Sequence, residues 1–149
     1  MSNQLVGRPM EILLVEDSLM DARVTIEALR DGHVQHRLTL VRDGEEAIHF
    51  LRQEGRFARA PRPDLILLDL MLPKKTGLEV LAELQENFEL KQIPVVVLTA
   101  SENEADRSRC AFFDVDSYIT KPVNLDKFLN VIKELKRCWR EDVIVPSVE

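Results

Sequence analysis

The sequence predicts an α/β fold around a parallel sheet, on three grounds. Short, wholly apolar runs recur along the chain, longer stretches of helical spacing lie between them, and cap and turn residues mark the junctions. Runs such as Leu65-Ile66-Leu67-Leu68 have no alternating polar face, which suits strands covered by helices on both sides.

Strands are expected at Met10–Val15, Leu38–Val41, Leu65–Leu68, Ile93–Leu98 and, more weakly, Ser117–Ile119. The first helix follows from Ala22, Ile26 and Leu29, and Asp31-Gly32 ends it. Ala47, Ile48, Phe50 and Leu51 mark the second, which Asp43 can cap. Pro61 and Pro63 guard the approach to the third strand. Thr76-Gly77 opens the third helix, carried by Leu78, Leu81 and Leu84. Pro94 sits where a strand begins and a missing donor is tolerated. The region Asn103–Phe113, charged first and apolar later, is read as a fourth helix. Asn124 caps the last, with Leu125, Phe128, Leu129, Ile132 and Leu135 on one face and Lys127 on the outer one. Five strands and five helices thus fill residues 10–140. Residues 1–9 are expected to be a flexible N-terminus and 141–149 a tail.

Bulk properties narrow the function. A chain of 149 residues suits one domain, and 45% hydrophobic with 31% charged residues is globular composition. The net charge of −6 lacks the basic footprint of a nucleic-acid binder. Cys110 and Cys138 form no CxxC pair, no signal-peptide core is present, and no apolar run could cross a bilayer. A cytoplasmic protein is expected. His33, His36 and His49 end no strand, so metal or phosphorelay roles are not assigned to them.

In an open parallel sheet, ligands bind beyond the carboxyl ends of the strands. Those ends read Val15-Glu16-Asp17, Leu68-Asp69, Leu98-Thr99-Ala100 and, for the fifth, Thr120-Lys121-Pro122. Three carboxylates, a hydroxyl and an ammonium would meet on one rim. Carboxylates with waters and phosphate oxygens suit Mg²⁺, and a carboxylate can attack phosphorus to form an aspartyl-phosphate. Taken singly, the residues have plainer readings. Glu16 or Asp17 could be a solvated turn residue, Thr99 a helix cap, and Lys121 a salt-bridge partner for Asp69. Asp69 is the most informative, because an unpaired charge at a buried strand end costs several kcal/mol.

Together these residues resemble the receiver domains of bacterial response regulators. Val15-Glu16-Asp17, Leu68-Asp69 with Leu72-Pro73 and Gly77, Leu98-Thr99-Ala100 and Tyr118-Ile119-Thr120-Lys121-Pro122 carry the resemblance over roughly residues 10–137. It implies a flavodoxin-like doubly wound sheet with strand order 2-1-3-4-5 and five helices. It makes Asp69 the phosphoacceptor, and Glu16 and Asp17 the acidic pair that holds Mg²⁺ with the Met71 backbone carbonyl. Lys121 and Thr99 would contact the phosphoryl group, Tyr118 would act with Thr99 as the switch, and Lys121-Pro122 would be cis. Where the family commonly has Gly-Ala, this chain has Asp114-Val115; Asp tolerates the left-handed turn, and Val115 adds bulk beside the switch.

More narrowly, Pro61–Asp69, Leu72-Pro73-Lys74-Lys75, Lys91–Thr99 and the end around Trp139 and Val143–Pro146 resemble the stand-alone response regulators of cyanobacterial phytochromes. That implies a light-regulated histidine kinase as phosphodonor. It also implies a homodimer through the fourth and fifth expected helices and fifth strand. Phe112, Phe113, Trp139, Val143 and Ile144 are candidate interface residues: adjacent Phe112 and Phe113 cannot both face the core of one helix, and the apolar tail beside Trp139 would be exposed unless covered. Lys74-Lys75 and the Lys133–Arg140 run read as solvated faces. Two other readings stand beside this one. An aspartyl-phosphate phosphohydrolase would need a second carboxylate two residues after the nucleophile, and Met71 stands there; a degenerate receiver would signal by binding alone. Neither Met71 nor Ser101 can orient a water strongly, so slow self-dephosphorylation is expected.

Overall fold

The computed structural model describes residues 7–100, 108, 110, 113, 115–135, 139 and 143–144. Within them run β1 (Met10–Val15), α1 (Leu19–Asp31), β2 (His36–Val41), α2 (Gly44–Leu51), β3 (Leu65–Asp69), α3 (Gly77–Gln85), β4 (Val95–Thr99), β5 (Ser117–Thr120) and α4 (Leu125–Glu134). The strands form one parallel sheet in the order β2-β1-β3-β4-β5, as expected. Four α-helices appear among the described residues, one fewer than expected. Asn103–Phe113, read as the missing helix, lies mostly outside them.

The two faces of the sheet explain the unbroken apolar runs. Leu13, Val15, Ile66, Leu68, Val95 and Val97 pack with Ala47, Ile48 and Phe50 of α2 and Val80, Leu81 and Leu84 of α3. Alternate residues Ile12, Leu14, Leu65, Leu67, Val96 and Leu98 pack with Ala22 and Leu29 of α1 and Phe128, Val131 and Ile132 of α4. A strand buried on both sides has no polar positions to spare, which is why period-two alternation is missing.

Side chains cap all four helix starts. Ser18 accepts from Asp21 N, Asp43 from Glu46 N, and Asn124 from Lys127 N. Thr76 and Glu79 form a reciprocal capping box, and its backbone hydrogen bonds hold the Glu79 carboxyl below its ordinary range. Asp43, Thr76 and Asn124 are the expected caps. Lys127 is less solvated than expected: its ammonium donates to Thr120 O at 2.9 Å and Pro122 O at 3.1 Å. Lys75 is likewise drawn in by Glu83, whereas Lys74, paired at 3.6 Å with Asp43, is exposed as expected.

The chain ends are tied down where the described residues reach them. Arg8 forms a parallel bridge with Val143, and Ile144 N–H donates to Arg8 O at 2.8 Å. Val143 is buried in the α1–α4 layer, with Trp139 packed against the same layer and Phe113 against the opposite one. The tail's apolar residue is therefore covered by its own chain, which removes the exposure argument for Val143 as an interface residue. Ile144 is half-buried, and Phe112 lies outside the described residues.

Candidate phosphoacceptor site

Parallel register sets the rim. Val15 lies level with Leu68, Asp69 with Leu98, and Thr99 with Thr120. The residues that follow these pairs must emerge side by side. Glu16 N–H continues the ladder to Val41 O at 3.0 Å, and Lys121 N–H donates to Thr99 O at 2.8 Å. Four strand ends thus deliver their polar residues to one place.

Lys121 is the hub. Its Nζ stands 2.8 Å from Glu16 Oε1, 2.9 Å from Asp69 Oδ2 and 3.0 Å from Asp21 Oδ2. Asp69 Oδ1 accepts the Met71 N–H at 2.9 Å, and Glu16 Oε2 accepts from Ser18 N–H at 3.2 Å. Glu16 Oε1 is buried and receives no well-directed hydrogen bond; the Lys121 ammonium meets it as a charge contact. Burial pushes the Glu16 carboxyl up to about 7, reinforced by neighbouring Asp69 and opposed by Lys121. Burial alone would lower the Lys121 ammonium, but Glu16, Asp69 and Asp21 together raise it, so it stays charged.

Thr99 is buried at the next strand end, and Tyr118 is half-buried against the α2–α3 layer. The Lys121-Pro122 peptide is cis. Asp17 stands apart: its side chain is half-exposed, its Oδ1 is 4.0 Å from Arg42 Nη2, and Arg42 grips its carbonyl at 2.8 and 3.2 Å. With Asp17 turned away and Lys121 between Glu16 and Asp69, no three acidic, His or Cys side chains among the described residues are grouped at ligand spacing. Asp114 lies outside the described residues, while Val115 packs against the core beside Tyr118.

One contributor is absent from the sequence reading. Asp21 reaches Lys121 from the third position of α1. The signal was present, since a Ser18 cap places Asp21 in the first turn beside the strand end. Gly77, expected at the opening of the third helix, donates its N–H to Leu70 O at 3.1 Å. A Cβ there would lie 2.6 Å from Leu70 Cα and 2.7 Å from Asp69 O, so only glycine lets α3 start against the end of β3.

The donor chemistry fits a hard divalent ion. Every side-chain donor is a carboxylate oxygen, one of them buried without a directed partner, and carboxylates outnumber the ammonium three to one. Asp69 also supplies a nucleophile already set beside a cation.

Comparisons with known proteins agree with this geometry. Residues 12–133 match the model of the response regulator receiver domain. Response regulator Rcp1 of Synechocystis sp. is 47% identical over 139 residues, spanning 93% of this chain and 95% of that protein. The crystal structure of its Mn²⁺-bound form superposes with a TM-score of 0.73 at 48% identity, covering 93% of this chain and 100% of that one. The phosphorylated cyanobacterial phytochrome response regulator RcpA gives 0.74 at 48% identity, covering 93% and 99%.

Proposed function

The chain belongs to the response regulator receiver family, and from that premise we propose that a sensor histidine kinase of the phytochrome type phosphorylates Asp69. The observation that carries this reading is the Lys121 ammonium, 2.9 Å from Asp69 and in contact with buried Glu16, at the rim of the sheet. The chain is a receiver-type response regulator related to phytochrome response regulators, and thus a signalling protein. Its own chemistry is limited to gaining and losing the phosphoryl group.

The Asp69 carboxylate attacks phosphorus, the phosphorus–nitrogen bond to the donor histidine breaks, and the leaving imidazole takes a proton from solvent. Lys121 exchanges its contact with the Asp69 carboxylate for one with a phosphoryl oxygen, and the Thr99 hydroxyl donates to another. Movement of Thr99 then draws Tyr118 inward, changing the face around β5 and α4 that a partner reads. Glu16, Asp17, Asp69 and the Met71 carbonyl would hold Mg²⁺, with Asp17 turning from Arg42. When bound, the ion neutralises charge on the phosphoryl oxygens. The Mn²⁺-bound relative supports a divalent ion here.

Pairing of two copies across β5, an edge strand of the sheet, α4 and the Asn103–Phe113 region, which lies mostly outside the described residues, belongs to the same proposal. So does a cytoplasmic location; no helix among the described residues is long and apolar enough to cross a membrane. A phosphohydrolase is not favoured, because position 71 carries an exposed Met where that chemistry needs a carboxylate. The same Met71 supports slow self-dephosphorylation.

Incubation with acetyl phosphate and Mg²⁺ should add one phosphoryl group to the intact mass of the protein and none to Asp69→Asn. Incorporation by that variant would refute the assignment. Sedimentation of the same samples reads the pairing of copies.

A further inference from the structure

We infer that Asp21 is a positioning residue for phosphoryl transfer, tethering Lys121 and enriching the ion pocket while opposing the approach of an anionic phosphodonor. The inference rests on the reading of Asp69 as phosphoacceptor. A lysine ammonium has three N–H donors. Here Lys121 donates to Asp69 Oδ2 at 2.9 Å and Asp21 Oδ2 at 3.0 Å, and its charge meets Glu16 Oε1 at 2.8 Å, so the ammonium is held by three carboxylates. Glu16 and Asp69 belong to the strand ends; Asp21 arrives from α1.

The backbone of α1 fixes that approach. Asp21 N–H donates to Ser18 Oγ at 3.2 Å, and Asp21 O accepts from the hydroxyl of buried Thr25 at 3.2 Å. The carboxylate sits in the first turn, where the helix dipole favours a negative charge. Its side chain is 44% exposed, against 1% for Glu16 and 11% for Asp69, so it contributes little packing. For Lys121 to take up a phosphoryl oxygen, one of its contacts must open. Asp21, the most solvated partner, is the one that water can replace at least cost.

Two consequences of opposite sign follow. The Asp21 charge draws a divalent cation toward the rim and repels a phosphodonor, and its hold on Lys121 competes with the phosphoryl oxygens. A unit charge a few ångströms away in a largely aqueous setting changes an equilibrium constant by about fivefold. A purely structural side chain would shift both properties together or neither.

The test is calorimetric titration of Mg²⁺ into the metal-free protein, alongside the phosphorylation rate with acetyl phosphate at saturating Mg²⁺. For Asp21→Asn, the Mg²⁺ Kd should rise about fivefold while the rate at saturation rises about 2–5-fold. Asp21→Glu, which restores the charge, should bring both back toward wild type. Glu27→Gln removes the same charge from the same helix away from Lys121, and should move neither. Loss of both properties in Asp21→Asn, or values matching Glu27→Gln, would overturn the inference. If the wild-type protein binds Mg²⁺ but takes no phosphate, the Asp69 reading fails while the calorimetric comparison still judges the tether.

Discussion

Strand β3 carries a buried aspartate at either end, Asp64 just before its first residue and Asp69 as its last. Asp64 is completely served. Arg8 grips both its oxygens at 2.7 and 2.9 Å, and Glu11 N–H donates to it at 2.8 Å. Asp69 instead shares a single ammonium with Glu16 and Asp21. The two ends use the same residue type on the same strand. One is a finished salt bridge with hydrogen bonds to spare; the other keeps an excess of negative charge. The first arrangement holds the chain in place, and the second has affinity left over for a cation and a phosphoryl group. Strength of pairing separates a structural carboxylate from a reactive one more clearly than burial does.

Breaking the satisfied end should produce the largest effect. Arg8→Ala leaves Asp64, 4% exposed at its side chain, without its counter-charge. A loss of about 3 kcal/mol is expected by urea denaturation, regardless of Mg²⁺. A change under about 0.5 kcal/mol would show that this end is not the structural one.

At the other end, the expected change is smaller and its sign depends on pH. The folded Glu16 value of about 7 lies above its ordinary 4.5. Stability from this group is therefore complete below 4.5 and lost as pH rises through about 7. The metal-free protein should lose about 1–2 kcal/mol between pH 5 and 8, allowing for the opposing pull of Lys121. Glu16→Gln should flatten that slope and be the more stable form at the alkaline end. Parallel slopes for the two proteins would contradict the contrast drawn above.

How much of this was legible in the sequence follows from the range of each interaction. Asp43, Thr76 and Asn124 announced their helices because a cap bonds only three residues on. Strand ends could be read from the apolar runs, and parallel register then brought Glu16, Asp69, Thr99 and Lys121 to one rim, within a residue step of one another from strand to strand, without any knowledge of loops. Side-chain choices were not legible. Asp17 turns to Arg42, which is 25 residues away, rather than to Asp69. Asp21 becomes a ligand of Lys121 across 100 residues once Ser18 sets the phase of α1. The Arg8–Asp64 clamp spans 56 residues, and nothing local distinguishes Arg8 from an unanchored terminal residue. Val143 looked exposed because only tertiary structure shows the layer that covers it.

The contrast between the two ends of β3 is tested most directly by the stabilisation that Mg²⁺ confers. Thermal unfolding with and without about 10 mM Mg²⁺ should show a gain of about 1 kcal/mol near pH 8. The gain should shrink near pH 5.5, where Glu16 is protonated, and vanish in Asp69→Asn. An equal gain at both pH values, or its survival in Asp69→Asn, would mean that the ion binds elsewhere and that the rim holds no charge awaiting a partner.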